Sequence, residues 1–345
     1  MSQRVVVVGG RGFLGSRTVA FLRGVADLEV AVAGRSGPDL VVDAGNPETF
    51  AALRAGDVVV NVSSSHAAPP DALVAHCLRE GLVMLEASSD RAVVERLLQR
   101  RKTPAAGTVV LGAGIFTGLS NLVGRAAVEA RPGATGLEIG IRSSPFSGAG
   151  QGTIDLMVDA MALPARVVRA GVSTTEEAAC PGPVLPFPGG ARWTLSFSFP
   201  EVAMLHASTG VSDVSLGFAP APSFLWPSFR WLPGWLMRSG LFRKALGAYF
   251  VLLRRFVLHG VGSRVELVAR SRDPSGKTSV RGLVAEDGMA VGGAAIAAFA
   301  LHLARTQPLG RGVVLIDEVV GLDEALAGIR ALAPQLTVRL SAQDG

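Results

Sequence analysis

The chain of 345 residues contains little cysteine, tyrosine or lysine, and it has few charges for its length. Its two cysteines, Cys77 and Cys180, are too few for a disulfide scaffold and lack zinc-ligand spacing, so we expect reduced thiols in a cytoplasmic protein. Charged residues make up 18% and apolar residues 49% of the chain, which excludes an intrinsically disordered protein. The length instead predicts two folded domains.

Lysine is the scarcest cation, because only three of the 33 Lys and Arg residues are lysines. This bias, together with abundant Ala, Gly and Val, is typical of GC-rich bacterial coding. The net charge is +5, and most cations are scattered, with adjacent cations at positions such as 243–244 and 254–255. Because nucleic-acid-binding proteins concentrate their cations in a patch or stripe, we expect no nucleic-acid partner.

Long hydrophobic runs are also absent. The first apolar run, residues 5–8, is much shorter than a secretory apolar region and leads directly into glycines. The uncharged stretches 104–124 and 288–304 contain polar residues or fall short of the roughly 20 apolar residues needed to span a bilayer. We therefore expect a soluble, cytoplasmic protein, with contact to a membrane surface left open only for residues 222–258.

A glycine-rich turn follows the first apolar run. Val5–Val8 has the β-branched composition of a buried parallel strand, and residues 16–23 have helical periodicity. Gly10, Gly12 and Gly15 lie between them with the spacing G-x-G-x-x-G, which in this context predicts a dinucleotide-binding turn at a helix N-terminus. The residues expected to bind the cofactor here are Gly10, Arg11, Gly12, Phe13, Leu14 and Gly15.

The second predicted strand, residues 29–33, ends in Gly34-Arg35-Ser36. Enzymes that use NAD usually have Asp or Glu at this place, where the carboxylate binds the ribose 2′-hydroxyl. A guanidinium beside a hydroxyl suits a 2′-phosphate instead. Gly34, Arg35 and Ser36 therefore favour NADP over NAD, and the alternative is that Arg35 is a solvated loop residue.

Strands and helices continue to alternate as far as about residue 111, with a helix start capped by Asn46 and a further helix over residues 71–80. This alternation predicts a doubly wound parallel sheet of the Rossmann type. Ligands of such sheets bind beyond the carboxyl ends of the strands. We therefore expect small residues at these ends to face the cofactor, namely Ser63, Ser64, Ala87, Ser88, Gly112 and Gly114. Asp43 is within reach of the adenine, although a plain loop carboxylate is an equal alternative.

Three later segments carry a resemblance to a known family. Residues 58–63 read VVVNVS, residues 75–86 read AHCLREGLVMLE, and residues 112–121 read GAGIFTGLSN. They resemble the saccharopine dehydrogenase-like NAD(P)-binding family, in which the last two segments read A-C-L-x-x-G-x-x-Y-x-D and G-A-G-F-x-P-G-L-S-N. Gln151-Gly-Thr-Ile154 is similar to its second-domain helix start. The chain departs from these patterns at Met84, Glu86 and Thr117. The resemblance implies NAD(P)-dependent oxidoreduction and two domains.

The glycine turn is also similar to that of extended short-chain dehydrogenases, which require a catalytic Tyr with a Lys four positions later. The only tyrosine is Tyr249, and Leu253 stands where the Lys would be. Composition therefore excludes that mechanism.

The second half predicts an α+β domain with a mixed sheet, in which residues 153–161 are expected to form a helix and residues 167–172 a single strand. The expected domains are therefore 1–123 and 124–345. A helix near 289–306 is expected to pack back on the first domain. Residues 222–258 hold three of the four tryptophans and then an amphipathic helix with cations on one arc and apolar residues, among them Leu246 and Tyr249, on the opposite arc. This segment is interpreted as a lid over an apolar substrate, as a membrane-interface helix, or as a buried core or homodimer face.

These observations predict an NADP-dependent reductase of an apolar small metabolite, with an enoyl or carbonyl group of a lipid or polyketide as the candidate group. The alternative is a non-catalytic NADP-binding protein that docks a partner or membrane. The catalytic residue is unknown; His206, placed at a strand-to-loop junction, is the candidate proton donor, ahead of Tyr249 and Asp155. Cys77 is expected to be a buried helix residue, and the histidines show no metal-ligand spacing.

Overall fold

The computed structural model describes residues 3–144, 160, 163–221, 239–256, 262–306 and 310–345. They form two compact units. The first unit comprises Met1–Leu122 and Ala290–Leu336, and the second comprises Val123–Met289 and Thr337–Gly345.

The chain up to residue 129 alternates strands and helices. Its elements are β1 (Gln3–Val8), α1 (Phe13–Leu22), β2 (Leu28–Gly34), β3 (Leu40–Val41), a short 3-10 helix (Pro47–Ala52), β4 (Val58–Asn61), α2 (Asp71–Glu80), β5 (Val83–Glu86), α3 (Arg91–Leu98), a second 3-10 helix (Gln99–Lys102), β6 (Thr108–Leu111), a π-helical turn (Ile115–Leu119) and α4 (Ser120–Glu129).

The rest of the chain is richer in strands. Its described elements are β7 (Gly136–Ser143), β8 (Ala165–Arg169), β9 (Val172–Glu176), β10 (Pro181–Phe187), β11 (Gly190–Ser196), α5 (Glu201–Thr209), β12 (Asp213–Pro220), α6 (Gly240–Phe256), β13 (Val265–Arg272), β14 (Thr278–Ala285), α7 (Gly288–Arg305), β15 (Gly312–Leu315), α8 (Ile316–Val319), α9 (Leu322–Leu332) and β16 (Val338–Asp344). The helix expected over 153–161 falls mostly outside the described residues, as does Asp155.

The first unit is built on a seven-stranded sheet with the order β15-β6-β5-β4-β1-β2-β3. All of its neighbouring strands run parallel. The central strands are apolar on both faces because helices cover both sides, and Val5–Val8 and Val58–Val60 are almost wholly buried. The predicted doubly wound parallel sheet is confirmed, and β1 and β4 lie side by side where the strand order reverses.

The C-terminal region returns to the first unit to a greater extent than the sequence indicated. Residues 290–336 belong to this unit, whereas the prediction assigned 124–345 to the second domain and allowed only the helix near 289–306 to pack back. The reason is the pairing of β15, which the hydrophobic pattern does not indicate: β15 pairs in parallel with β6 and extends the first sheet. Thr108 Oγ1 also donates to the carbonyl of Gly310 over 2.9 Å.

Helix α7 is long and apolar enough to cross a membrane by length and composition, with a mean hydropathy of 1.4, and it alone meets that test among the described residues. However, 67% of this helical window is buried within the protein, as expected for a core helix. Ala294, Ile296 and Phe299 are completely buried. The small residues Gly292 and Gly293 allow close packing, since a Cβ at Gly293 would lie 2.7 Å from the Cβ of Arg17.

The second unit contains the predicted mixed sheet, with the order β10-β11-β12-β7-β13-β14-β16 and the hairpin β8–β9 attached to β12. Strands β7 and β12 are parallel and the other pairs are antiparallel. The single strand predicted over 167–172 is wrong, because Ala170 and Gly171 adopt positive φ angles and turn the chain into a hairpin. Phe197, Phe199 and Phe218 stack in the core of this unit.

The segment 222–258 is described only in part, because residues 222–238 and 257–258 lie outside the described residues. The predicted helix is present as α6. Leu246 is buried as the amphipathic pattern predicts, but Tyr249, assigned to the same apolar arc, is 51% exposed. Leu241 and Leu252 are also exposed. The interpretation of this segment as a lid, a membrane helix or an interface stays a prediction.

Candidate functional site

The glycine-rich turn connects β1 to α1 at the centre of the first sheet. Gly9 has a φ of +82° and donates its N–H to the carbonyl of Ala33 over 2.9 Å. Gly12 closes the turn by donating to the carbonyl of Gly9 over 2.8 Å, and it is the N-cap of α1 without a side-chain cap. The first N–H groups of α1 therefore have no capping side chain, and a helix N-terminus of this kind attracts an anion.

Two glycines of this turn are required by close backbone contacts. A Cβ at Gly15 would lie 2.2 Å from the carbonyl oxygen of Gly9, and a Cβ at Gly9 would lie 2.7 Å from the backbone nitrogen of Ser63. Gly12 is different, because its Cβ would come no closer than 3.0 Å to the Gly9 oxygen and Gly12 itself is exposed. Gly15 therefore serves packing, and Gly12 leaves space above the turn.

A crevice of about 270 Å³ opens beyond the carboxyl ends of β1, β2, β3 and β4. Half of the residues predicted to bind the cofactor line it: Arg11, Gly12, Gly34, Arg35, Ser36, Asp43, Ser63 and Ser64. The crevice also includes Ala67 and Ala68, which the sequence analysis missed. They enter it because their N–H groups donate to the carbonyl of Ser64 in a tight turn, a local detail that no motif indicates.

The remaining predicted cofactor residues do not line this crevice. Gly10 and Gly15 are buried in the turn, and Phe13 and Leu14 lie in the first turn of α1. The guanidinium of Arg17 lies 4.1 Å from the centre of the Phe13 ring. Further along the sheet edge lie four residues that follow β5 and β6: Ala87, Ser88, Gly112 and Gly114. Their role as cofactor contacts stays a prediction.

The electrostatics of the crevice are dominated by two arginines. Arg11 donates from Nη1 to the carbonyl of Ser36 over 3.1 Å, and Arg35 is exposed without a side-chain partner among the described residues. The carboxylate in the lining is that of Asp43, whose Oδ1 accepts the N–H of Gly45 over 3.1 Å. Two cations and one anion give the crevice a positive balance that suits an anionic ligand.

Next to the crevice, a buried polar network joins the ends of β4 and β5. Asn61 Nδ2 donates to Glu86 Oε2 over 2.8 Å, and the N–H of Ser88 donates to Glu86 Oε1 over 2.9 Å. On the other side, Asn61 Oδ1 accepts the hydroxyl of Ser63 over 2.7 Å and its N–H over 3.2 Å. Glu86 is 1% exposed, and burial raises its pKa to about 7. In the sequence, Glu86 stands out only as a departure from the family pattern.

The loop after β6 also has unusual features. Thr117 is completely buried with a φ of +57°, in the left-handed region that residues with a β-branched side chain seldom adopt. Asn121, at the start of α4, is 0% exposed, and neither its Oδ1 nor its Nδ2 has a hydrogen-bond partner among the described residues. Both residues belong to the segment that carries the family resemblance, but their individual geometry was not foreseen.

The two side chains considered for direct chemistry have structural contacts. His206 lies in α5 rather than at a strand-to-loop junction, so that expectation is wrong, and its Nδ1 is 2.9 Å from the carbonyl of Val211. Its role as a proton donor stays a prediction. Cys77 is buried within α2, and desolvation raises the pKa of its thiol to about 12, which keeps it neutral and unreactive. No group of three or more metal-ligating side chains occurs in the described part of the chain.

Comparison by sequence finds no match, since neither a family model nor a curated protein matches this chain. Solved structures do match by fold. A biliverdin reductase from a Synechocystis species has a TM-score of 0.35 at 14% identity, with 96% of each chain covered. A myo-inositol dehydrogenase from Corynebacterium glutamicum has a TM-score of 0.40 at 14% identity, with 100% of each chain covered.

Saccharopine dehydrogenase (L-Glu forming) from Saccharomyces cerevisiae gives a stronger match. The TM-score is 0.60 at 13% identity, and the alignment covers 99% of this chain and 100% of the yeast enzyme. At this identity the likeness concerns the fold. The fold of this chain is therefore similar to that of saccharopine dehydrogenase, as the resemblance of residues 58–63, 75–86 and 112–121 implied.

Proposed function

We propose that this chain is an oxidoreductase that uses NADP. The observation that carries the proposal is the crevice above the glycine turn, in which an uncapped helix N-terminus and two arginines lie together. The fold similarity to a dehydrogenase agrees with this proposal.

The turn fits the pyrophosphate of a dinucleotide. Gly12 is exposed and has no side chain, so that a phosphate can approach the backbone and the first N–H groups of α1. The helix dipole adds a favourable interaction with the negative charge.

The end of β2 fits the 2′-phosphate that distinguishes NADP from NAD. Arg35 stands where an NAD enzyme carries its acidic residue, and Arg11 reaches the same loop through its bond to Ser36. A guanidinium presents several N–H donors to phosphate oxygens and retains its charge. Asp43 lies in the same lining and is the candidate for the adenine side.

The bound cofactor would supply the hydride, and the chain's own residues would bind and orient the dinucleotide. For the substrate, we propose an apolar small metabolite with an enoyl or carbonyl group. This choice is supported by the apolar composition of the chain and by the exposed apolar residues Leu241 and Leu252 of α6.

The first experiment is a thermal-shift comparison of NADPH and NADH, followed by an assay of NADPH oxidation with apolar enones and aldehydes. The proposal expects NADPH to stabilise the protein more strongly and to be consumed with at least one substrate. Stabilisation without turnover would instead support a non-catalytic NADP-binding protein. Stronger stabilisation by NADH would contradict the assignment of Arg35.

A further inference from the structure

The buried network between β4 and β5 has a defined hydrogen-bond polarity. A backbone N–H can only donate, so the N–H of Ser63 requires that Asn61 turn its Oδ1 toward Ser63. The amide nitrogen of Asn61 then points to Glu86 and donates to Oε2. On the other oxygen, the N–H of Ser88 is also an obligate donor. Glu86 therefore accepts on both oxygens, which is the bonding pattern of an ionised carboxylate.

This network is connected to the cofactor crevice through Ser63. Ser63 lines the crevice, and its backbone lies so close to Gly9 that a Cβ there would be 2.8 Å from the Ser63 Cα atom. The position of Ser63 thus limits the position of the glycine turn. Glu86 does not line the crevice, but it is linked to the glycine turn through the side chains of Asn61 and Ser63 and through the backbone contact between Ser63 and Gly9.

We propose that Glu86, in its ionised form, is a positioning residue for the dinucleotide: through Asn61 it holds Ser63 against Gly9 and so keeps the glycine turn in its binding conformation. The proposal rests on the proposed use of NADP. A protonated Glu86 would present a hydroxyl to a neighbour that is itself a donor, and Asn61 would lose its fixed orientation. The turn would then populate its binding conformation less often.

Other charged and titratable groups lie near Glu86, and their contributions to the pH profile can be distinguished from that of Glu86. From α2, Asp71 and Cys77 interact with it electrostatically. Arg96 pairs with Asp71 over 2.6 Å and lowers the pKa of that carboxylate, and burial keeps Cys77 neutral. From the loop after β4, His66 faces the α3 N-cap Asp90 at 3.8 Å and is the neighbouring group that needs a control.

The test measures the affinity for NADPH by calorimetry between about pH 6 and pH 8. Because burial raises the pKa of Glu86 to about 7, the ionised fraction, and with it the apparent affinity, is expected to rise about tenfold over this range. Glu86→Gln is expected to bind about tenfold more weakly than the wild type at pH 8. The 2′-phosphate of NADPH titrates at about pH 6 whichever variant binds it. The wild-type affinity at each pH is therefore divided by that of Glu86→Gln, which removes the contribution of the phosphate.

Three further variants complete the experiment. Glu80→Gln, at the exposed end of α2, is expected to leave the affinity unchanged, and His66→Asn is expected to keep the wild-type rise. Glu86→Asp keeps the charge with a shorter reach, so it is expected to bind more weakly than the wild type and still show the rise. This variant replaces Glu86→Gln as the test if the latter does not fold.

The outcomes distinguish this inference from the proposed function. The positioning role would be overturned if wild type and Glu86→Gln had the same affinity and pH profile. It would also be overturned if wild type and Glu86→Asp had the same affinity and neither showed the rise with pH. If His66→Asn lost the rise in affinity with pH, that rise would be assigned to His66, and the positioning role of Glu86 would be overturned as well. A wild type that binds no NADPH at any pH would instead overturn the proposed function.

Discussion

Arg11 and Ser36 join two loops that the sequence separates by a whole strand and helix. The guanidinium of Arg11 donates from Nη1 to the carbonyl of Ser36 over 3.1 Å, which ties the glycine turn to the end of β2. Arg35, the neighbour of Ser36, lines the same crevice. Two guanidinium groups therefore belong to one crevice, and this arrangement can be tested by substitution.

Arg35→Ala and Arg11→Ala are each expected to weaken NADPH binding by about tenfold to a hundredfold, because each removes charge-assisted bonds to the 2′-phosphate. NADH affinity is expected to change much less, since NADH lacks that phosphate. Calorimetric titration of both cofactors measures the ratio. Arg23→Ala, an exposed arginine paired with Asp39 outside the crevice lining, controls for the general loss of positive charge. Equal losses for NADPH and NADH would assign the two arginines a structural role.

The glycines of the turn are expected to respond differently to the same methyl group. Gly12→Ala is expected to lose less stability than Gly15→Ala, because Gly12 has an ordinary φ of −69° and its Cβ would come no closer than 3.0 Å to the Gly9 oxygen. It is expected to bind NADPH at least about tenfold more weakly, since the methyl occupies the phosphate approach. Gly15→Ala is expected to lose about 1–3 kcal/mol of unfolding free energy, because its methyl would lie 2.2 Å from the Gly9 oxygen. Urea unfolding and calorimetry separate the two effects. A stable Gly15→Ala, or a Gly12→Ala with unchanged affinity, would contradict this division.

Asn121→Leu is expected to raise the unfolding free energy of the ligand-free protein by about 1–3 kcal/mol. A buried amide without partners loses its hydration on folding and regains no hydrogen bond, whereas leucine has a similar size and no polar group. The matched control is Asn46→Ala, which removes an N-cap whose Oδ1 accepts the N–H of Glu48, and it is expected to lose about 1 kcal/mol. A loss of stability in Asn121→Leu would show that Asn121 has a partner in solution.

The stability of the protein is expected to depend on pH through Glu86. Its pKa is about 7 in the folded protein against 4.5 ordinarily, so between these values the folded state keeps a proton that the unfolded state has released. The unfolding free energy therefore falls as pH rises through this interval, by up to about 3 kcal/mol, and then levels off. Glu86→Gln has no proton to release, so its stability relative to wild type should increase over the same interval.

A second carboxylate gives the opposite sign and serves as the control for this measurement. The bond to Arg96 lowers the pKa of Asp71 below 3.8, so its stabilising contribution is present at neutral pH and is lost as the pH falls below that value. Asp71→Asn should therefore be less stable than wild type at neutral pH, with the gap closing in acid. A constant difference between wild type and Glu86→Gln from pH 4.5 to pH 7 would contradict the account of Glu86.

Local patterns predicted the first sheet well. Helix α2 occupies the predicted residues because apolar residues recur at helical spacing up to Gly81, whose φ of +74° ends it. Asn46 caps the following turn as predicted, by accepting the N–H of Glu48. In each case the determining interaction lies within a few residues along the chain.

Features that depend on distant residues were not predictable in the same way. Strand β15 joins β6 across about two hundred positions, and the short apolar run of Gly312–Leu315 contains nothing that specifies its partner. The bond between Asn61 and Glu86 joins two strand ends whose register becomes known only in the folded sheet. His206 was misplaced because residues 201–209 have weak helical amphipathicity, and the fold alone shows them as α5.

The central claim is that the crevice above the glycine turn binds NADP with its 2′-phosphate at Arg11 and Arg35. Calorimetric titration of the purified full chain with NADPH, and separately with NADH, tests it most directly. The account predicts that one NADPH binds per chain, at least about tenfold more tightly than NADH, because one charge-assisted contact to the 2′-phosphate contributes about that factor in affinity. Absence of NADPH binding, or tighter binding of NADH, would contradict it.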